Sequence, residues 1–511
     1  MMKTQLKTRV ALCAAIALSP FYFSHADDDD GGGEDKDKKK EEQSGAEKTS
    51  ETTGSVTVGG KKIDYTATAG TIQLKDKKDE ARASVFYIAY TRDGVSDLSK
   101  RPVMFCFNGG PGSSSVWLHL GAFGPKRVHM GADGIEAPAP PYKLVENEYS
   151  VLGDTDLVFI DPVSTGYSRA EKGQDAGQFH GFSEDIDSVA DFIRLYVTRH
   201  GRWESPKFLA GESYGAIRAS GLSNTLQSRY GMYLNGVVLV SGLLDFRSLS
   251  PADGSDLPYV TFFPAMTATA HFHGKVKGDL KELVAEAEAF ALGPYTSALA
   301  KGLSLPEEEL KAVAATAAKL TGIDAGNYEK TNLRLGSTVF RKLLLQETST
   351  VTGRFDGRVT SKDPVPFGVY PEDDPSYSKI YGAYASTMNH YVRQDLKFES
   401  DLPYDILSGN VRPWSYKQFT NRYVSVSNDL ERALRSNEHL QFFVACGYHD
   451  LATPHLAIRY SIDHLEIHPD LRKNFRTEFY DGGHMMYTNL PSLKKLQLDL
   501  AKFFKDSDGV E

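Results

Sequence analysis

Residues Leu209-Ala210-Gly211-Glu212-Ser213-Tyr214-Gly215-Ala216-Ile217-Arg218 decide how the rest of the chain is read. Gly211 to Gly215 fit G-x-S-x-G, the pattern of a nucleophile elbow. In such an elbow a tight strand-to-helix turn lifts a serine hydroxyl out of a sheet and aims the next helix's N-terminus at it. The glycines let the backbone pass close to neighbouring elements. Five residues with three fixed also recur by chance in surface turns, so the flanks carry the weight. Residues 206–210, Pro-Lys-Phe-Leu-Ala, read as a short buried strand. Residues 216–226 read as a helix of small residues, which completes the strand–elbow–helix order the motif requires.

Outward from the elbow, buried strands alternate with helices. Residues 102–107 form a continuous apolar run that enters Asn108-Gly109-Gly110-Pro111-Gly112-Ser113-Ser114-Ser115. Residues 156–160, 236–241, 440–446 and 477–480 are further strand candidates. The apolar runs at 102–107, 156–160 and 236–241 suit strands covered on both faces. Residues 182–200 have helical periodicity, with Ser183 as the candidate cap. Upstream, Val56, Val58, Ile63, Tyr65 and Ala67 alternate with polar residues around a Gly59-Gly60 turn, and 84–90 is another strand. The expected fold class is α/β: a mostly parallel sheet with helices on both faces.

The 511 residues suffice for one large domain with an insertion. Residues 1–26 read as an export signal: Lys3, Lys7 and Arg9 precede a short apolar run, and Ser24-His25-Ala26 ends in a small residue suited to cleavage. The run is too short for a membrane span, so no stable membrane insertion is expected. Residues 27–53 open with Asp27-Asp-Asp-Asp-Gly-Gly-Gly and read as a disordered charged linker. The core is expected over 54–246 and 436–511. Residues 247–435 are expected to be a helical and loop insertion over the active site, with helices at 280–291 and 307–320 and Pro-, Tyr- and Asp-rich loops at 363–384 and 401–414. A helix over 492–504 closes the chain. The formal charge of −9 leaves no basic footprint, so nucleic acid is not an expected partner.

A serine nucleophile needs a base, the base needs an acid, and the developing oxyanion needs backbone donors. Asp450 follows the strand ending at Cys446, and His484 follows the strand ending at Tyr480. Both loops fall on the sheet edge that carries Ser213. The order Ser213…Asp450…His484 is that of an α/β-hydrolase.

On these residues the chain resembles the serine carboxypeptidase family. The matching motifs are Asn108-Gly-Gly-Pro-Gly-Ser-Ser114, Gly211-Glu-Ser-Tyr214, the Gly447…Asp450…Pro454 loop, and Gly483-His484-Met485 with Pro491 downstream. Gly124-Pro125 and Ile160-Asp-Pro-Val163…Gly166-Tyr-Ser168 are also similar. The resemblance covers about residues 85–505. It implies a Ser213 acyl-enzyme formed at the last bond of a peptide with a free C-terminus. It implies an oxyanion hole from the N–H groups of Gly110 and Tyr214. It places the substrate's carboxylate against Asn108, Gly109 and Glu212, and it implies no metal and no organic cofactor. Two carboxylates repel in a desolvated cleft, so Glu212 fits that role only when protonated.

Three departures stand out. Family members usually carry a second glutamate two residues before the Gly-Pro; here it is Ala122. The usual cysteine of the oxyanion loop is Ser113, and Tyr448 stands where an acid is common. Lys126, Arg127 or Arg218 could hold a carboxylate, although salt-bridged or surface roles suit them better. An esterase or acyltransferase with the same triad is the alternative function. A non-enzymatic scaffold would need a damaged triad. His271 and His273 have no evident third ligand and read as solvated. Cys106 and Cys446, the cysteines outside the export signal, should lie about three strands apart, roughly 14 Å at normal spacing, and stay free. No Asn-x-Ser/Thr sequon occurs, so a bacterial periplasmic or secreted enzyme, monomer or homodimer, is expected.

Overall fold

Strands free of charged interruptions form the centre of the sheet. The computed structural model describes residues 47–136 and 138–509. The main strands are β1 (Thr49–Val58), β2 (Lys61–Lys75), β3 (Ala81–Arg92), β4 (Val103–Phe107), β5 (Asp156–Ile160), β6 (Lys207–Glu212), β7 (Gly236–Val240), β8 (Gln441–Gly447) and β9 (Phe475–Tyr480). They lie in the order β1-β2-β3-β5-β4-β6-β7-β8-β9, and a two-residue strand, Arg169–Ala170, pairs with β3 beside this path. The first three strands and the β3–β5 pair are antiparallel. From β5 to β9 every pair is parallel. A parallel sheet needs cover on both faces, and alternate residues supply it. Val103, Phe105 and Phe107 join one apolar cluster with α1 (Phe182–Arg199) and α2 (Tyr214–Tyr230). Met104 and Cys106 face the other cluster. The longer helices that follow are α3 (Leu257–Phe272), α4 (Leu280–Phe290), α5 (Glu307–Thr321), α6 (Pro375–Gln394) and α7 (Leu490–Ser507). Helices α6 and α7 cover the face of Met104 and Cys106. Each large apolar side chain buried this way contributes ~1.5–3 kcal/mol.

Cys106 and Cys446 are free and buried. Strands β4 and β8 are separated by β6 and β7. Cys106 and Cys446 also belong to clusters on opposite faces, which rules out a bond between them twice over.

The insertion has its own apolar cluster, contributed mainly by α3, α4 and α5. Core and insertion belong to one compact unit, residues 44–511. Several expectations are corrected. The linker expected over 27–53 ends earlier, because β1 begins at Thr49 and pairs Thr49 with Gly70 of β2. That strand is half-exposed and polar, held by its backbone ladder rather than by apolar burial, so composition hides it. The Gly59-Gly60 turn joins β1 to β2 with φ of 56° and 77°, values suited to a two-residue hairpin. The loop expected over 363–384 contains the start of α6. Asp374 accepts the Ser376 N–H there and Pro375 occupies the first turn, both good start signals. Helix α3 carries no amphipathic stripe because nearly all of it is buried. The cap of α1 is Gly181 rather than Ser183. The export-signal reading lies outside the described residues. Among the described residues no helix is long and apolar enough to cross a membrane.

Candidate active site

Ser213 sits between β6 and α2 with φ 61° and ψ −125°. A non-glycine residue held there costs about 1–3 kcal/mol, which the surrounding packing must offset. Its N–H donates to Val240 O at 3.1 Å, tying the turn to the end of β7. The elbow's glycine is obligatory: a Cβ on Gly211 would lie 2.0 Å from Gly215 O. The loop after β4 packs onto the same turn. A Cβ on Gly109 would lie 2.4 Å from Tyr214 N, so Asn108-Gly109-Gly110 runs directly along the elbow. Tyr214 is the first residue of α2, where an N–H has no partner within its own helix. Two of the expected oxyanion and substrate residues, Tyr214 and Gly109, are thus brought into contact.

The acid and the base meet. His484 Nδ1 lies 2.9 Å from Asp450 Oδ2. Asp450 Oδ1 accepts the N–H groups of Ala452 and Thr453 at 2.8 and 2.9 Å. One residue beyond Val240, Ser241 links both loops to the elbow. Its hydroxyl donates to His484 O at 2.7 Å, and its carbonyl accepts the Thr453 hydroxyl at 2.7 Å. Thr453 Oγ1 also lies 3.0 Å from His484 Nδ1. Burial opposes a charge on His484, but the Asp450 carboxylate and its hydrogen bond outweigh that, with help from Glu212, and raise its pKa above the usual histidine value. An imidazole held this way takes up a proton readily, which is what a base beside a serine must do.

Glu212 is 2 % exposed. Burial pushes its carboxyl up to about 7, against the opposing effects of the His484 charge and the hydrogen bonds from Tyr487 and Asn108. The Tyr487 hydroxyl donates to Glu212 Oε2 at 2.7 Å. Asn108 Oδ1 accepts the Leu118 N–H at 3.1 Å, which turns its amide group toward Glu212.

Sequence reasoning missed several contributors. Thr453 and Tyr487 lie inside the motifs but carry no motif signal of their own. A segment of the insertion, residues 353–358, grips the loops of both Asp450 and His484. Phe355 O accepts the His484 N–H at 2.5 Å and Asp356 Oδ2 accepts the Gly483 N–H at 3.0 Å. Leu451 N–H donates to Arg354 O at 3.1 Å, and Gly357 N–H donates to His449 O at 2.9 Å. The Phe355 ring lies 5.0 Å from the His484 ring. Buried Arg358 pairs with Asp356 at 2.8 Å and with Asp481 at 3.3 Å, which binds the segment to the loop from the other side.

Two of the cations considered as carboxylate holders have acidic partners. Arg218 pairs with buried Asp185 at 2.8 Å and donates to Asn108 O at 2.5 Å. Arg127 reaches Glu148 at 3.4 Å, and Lys126 begins the short strand Lys126–Val128. His271 and His273 are not simply solvated. Their rings bond the carbonyls of Val276 at 3.1 Å and Gly357 at 2.8 Å, so His273 anchors the end of α3 to the 353–358 segment. Among the described residues no cluster of His, Cys, Asp and Glu could hold a metal ion. Tyr448 stacks on Phe479 with ring centroids 5.3 Å apart.

A parallel sheet in this order, with a strained serine at a β6–α2 elbow and a coupled Asp–His pair on neighbouring loops, defines an α/β-hydrolase. Residues 60–498 match the family model described as serine carboxypeptidase, and the chain belongs to that family. It is 34% identical over 158 residues to the pheromone-processing carboxypeptidase KEX1 of Saccharomyces cerevisiae, covering 29% of this chain and 20% of that protein. It is 28% identical over 171 residues to serine carboxypeptidase-like 29 of Arabidopsis thaliana, covering 32% of this chain and 33% of that one. These matches span a third or less of the relatives' own lengths. The solved structure of the Saccharomyces cerevisiae prohormone-processing carboxypeptidase Kex1 superposes with a TM-score of 0.52 at 17% identity, covering 86% of this chain and 91% of that one, a likeness of fold.

Proposed function

We propose that this protein is an exported serine-type carboxypeptidase that releases C-terminal residues from peptides through an acyl-enzyme on Ser213. The observation that carries the reading is the buried Glu212 carboxyl beside Ser213, pushed up to about 7 by burial and hydrogen-bonded by Tyr487 and Asn108. A carboxyl that stays protonated near neutral pH can donate a hydrogen bond to a substrate's terminal carboxylate, which an ionised one would repel. With the carboxylate against Asn108, Gly109 and Glu212, the last peptide bond reaches Ser213. His484 takes the hydroxyl proton as Ser213 attacks, Asp450 stabilises the imidazolium, and the N–H groups of Gly110 and Tyr214 receive the oxyanion. The proton passes from His484 to the leaving amine, the C-terminal amino acid departs, and water then cleaves the ester. No cofactor takes part. The proposed setting is the periplasm or exterior of a bacterium, reached through the segment 1–26.

Ala122 favours a second reading, an esterase or acyltransferase indifferent to a free carboxylate. Matched peptides with free and amidated C-termini separate the two. The carboxypeptidase reading expects stepwise loss of single residues from the free acids, seen by mass spectrometry, and little from the amides. Equal attack on both, or hydrolysis confined to simple esters, would overturn it.

The 353–358 segment supplies another expectation. Asp356→Asn is isosteric, but its one carbonyl oxygen cannot accept both the Gly483 and Arg358 bonds made to Oδ2 and the Arg358 backbone and Nε bonds made to Oδ1. A slightly displaced His484 costs turnover without costing substrate contacts. The variant should lose about 10- to 100-fold in kcat with KM little changed. A fluorophosphonate should still label every Ser213, more slowly. Unaltered kcat would remove the segment from the account.

A further inference from the structure

Tyr487 lies three residues after His484, in the turn Met486–Thr488, and is 1% exposed. Its ring fills space that exists only because of the small residues opposite it. A Cβ on Gly121 would lie 2.5 Å from Tyr487 Cε2 and 2.7 Å from the Tyr384 hydroxyl. The next residue, Ala122, is buried and brings no polar group. The stretch in which the sequence lacks a second carboxyl is therefore packed by tyrosines, and one of them bonds Glu212.

We infer that Tyr487 is the second half of the carboxylate-binding clamp: its hydroxyl fixes Glu212 by Oε2, leaving Oε1 to carry the proton donated to a substrate's terminal carboxylate. The inference rests on the reading of Glu212 as the group that meets that carboxylate. A phenol and a carboxyl behave differently in this position. A second carboxyl would bring its own ionisation and would oppose that of Glu212. Burial and Glu212 itself hold Tyr487 protonated far above neutral pH, so its hydroxyl stays a donor throughout. The clamp then has one titrating group. The groups that act on it are Tyr487 and Asn108 through hydrogen bonds, and His484 and Asp450 through their charges. Tyr384, beside them, is also kept neutral by burial and by Glu212. A donor to Glu212 favours its ionised form, so removing the donor must raise the pH at which the clamp lets go.

Tyr487→Phe keeps the ring and removes one oxygen. Peptide acids and their C-terminal amides are compared as substrates, or as competitive inhibitors where turnover is slow, from pH 5.5 to 9.5. The preference for acid over amide should fall about 3- to 10-fold at pH 6, because Glu212 is no longer fixed. The pH midpoint at which the preference disappears should rise by about half to one unit. A purely packing role would weaken both ligands together and leave the midpoint in place. Glu212→Gln should abolish the midpoint with or without Tyr487, which checks that both residues act on one ionisation. If the parent enzyme treats acid and amide alike, the carboxypeptidase reading fails. If it discriminates, yet Tyr487→Phe leaves the midpoint within about 0.2 unit, that reading stands and the role of Tyr487 alone is refuted.

Discussion

Ser213→Ala is expected to leave a folded protein with turnover reduced by about 10⁵- to 10⁶-fold. The loss is that large because the other members of a triad act only through the nucleophile. On the proposed mechanism, His484 without a serine hydroxyl has no nucleophile proton to accept, and no serine adduct forms to place an oxyanion against Gly110 and Tyr214. His484→Ala should fall by a similar factor, since a serine is a weak nucleophile at its own pKa. The double variant should be little worse than either single one, as expected for groups working as a unit. The fold should survive in each case. Ser213 is bonded to β7 through its backbone, and alanine retains that N–H. The thermal midpoint and the far-ultraviolet spectrum test the fold; steady-state turnover of a free peptide tests the mechanism. Retention of more than a few per cent of activity in either single variant would discard the triad.

Glu212→Gln should free peptide binding from alkaline pH. On the proposed reading the parent enzyme binds a carboxylate with Glu212 protonated, and burial pushes that carboxyl up to about 7. Above this pH the competent fraction falls tenfold per unit, so KM for a peptide acid should rise by up to ~100-fold near pH 9. The bound carboxylate itself favours the protonated form and limits the rise at the point where the complex ionises. Glutamine donates a hydrogen bond without ionising, so KM in the variant should be nearly flat. On the acidic side His484 must be neutral. Its pKa lies above the ordinary value, so kcat/KM should fall as pH drops below neutrality. The parent profile is a bell whose alkaline limb belongs to peptide acids alone. A C-terminal amide that shows the same alkaline rise in KM would remove Glu212 from carboxylate binding.

What could be read in the sequence follows from which interactions leave a mark on residue type. The elbow was legible because its geometry demands glycine at 211 and 215 and a strand and helix on either side. The loop of Asp450 was legible because it follows an apolar run long enough to be a buried strand; that of His484 follows a half-buried edge strand, Phe475–Tyr480, and was legible from Gly483-His484 and the chain order Ser213…Asp450…His484. The 353–358 segment was not, because Phe355 holds His484 through its carbonyl, which every residue possesses. Tyr487 was hidden for another reason. Its partner, Glu212, lies 275 residues earlier, and no local periodicity connects them. The sequence exposed the missing carboxyl at Ala122 but not the ring that occupies its surroundings. Helix α3 was lost because burial on all sides erases amphipathic contrast, and the start of β1 because an edge strand can be polar.

The grip of residues 353–358 on the histidine loop also has a temporal meaning. The chain is made with Ser213 first, the gripping segment later and His484 last. A partly synthesised chain therefore carries a nucleophile with no base and is chemically silent toward every peptide around it. On the proposed mechanism, reactivity waits until the final strands join the sheet and residues 353–358 bond Gly483 and His484.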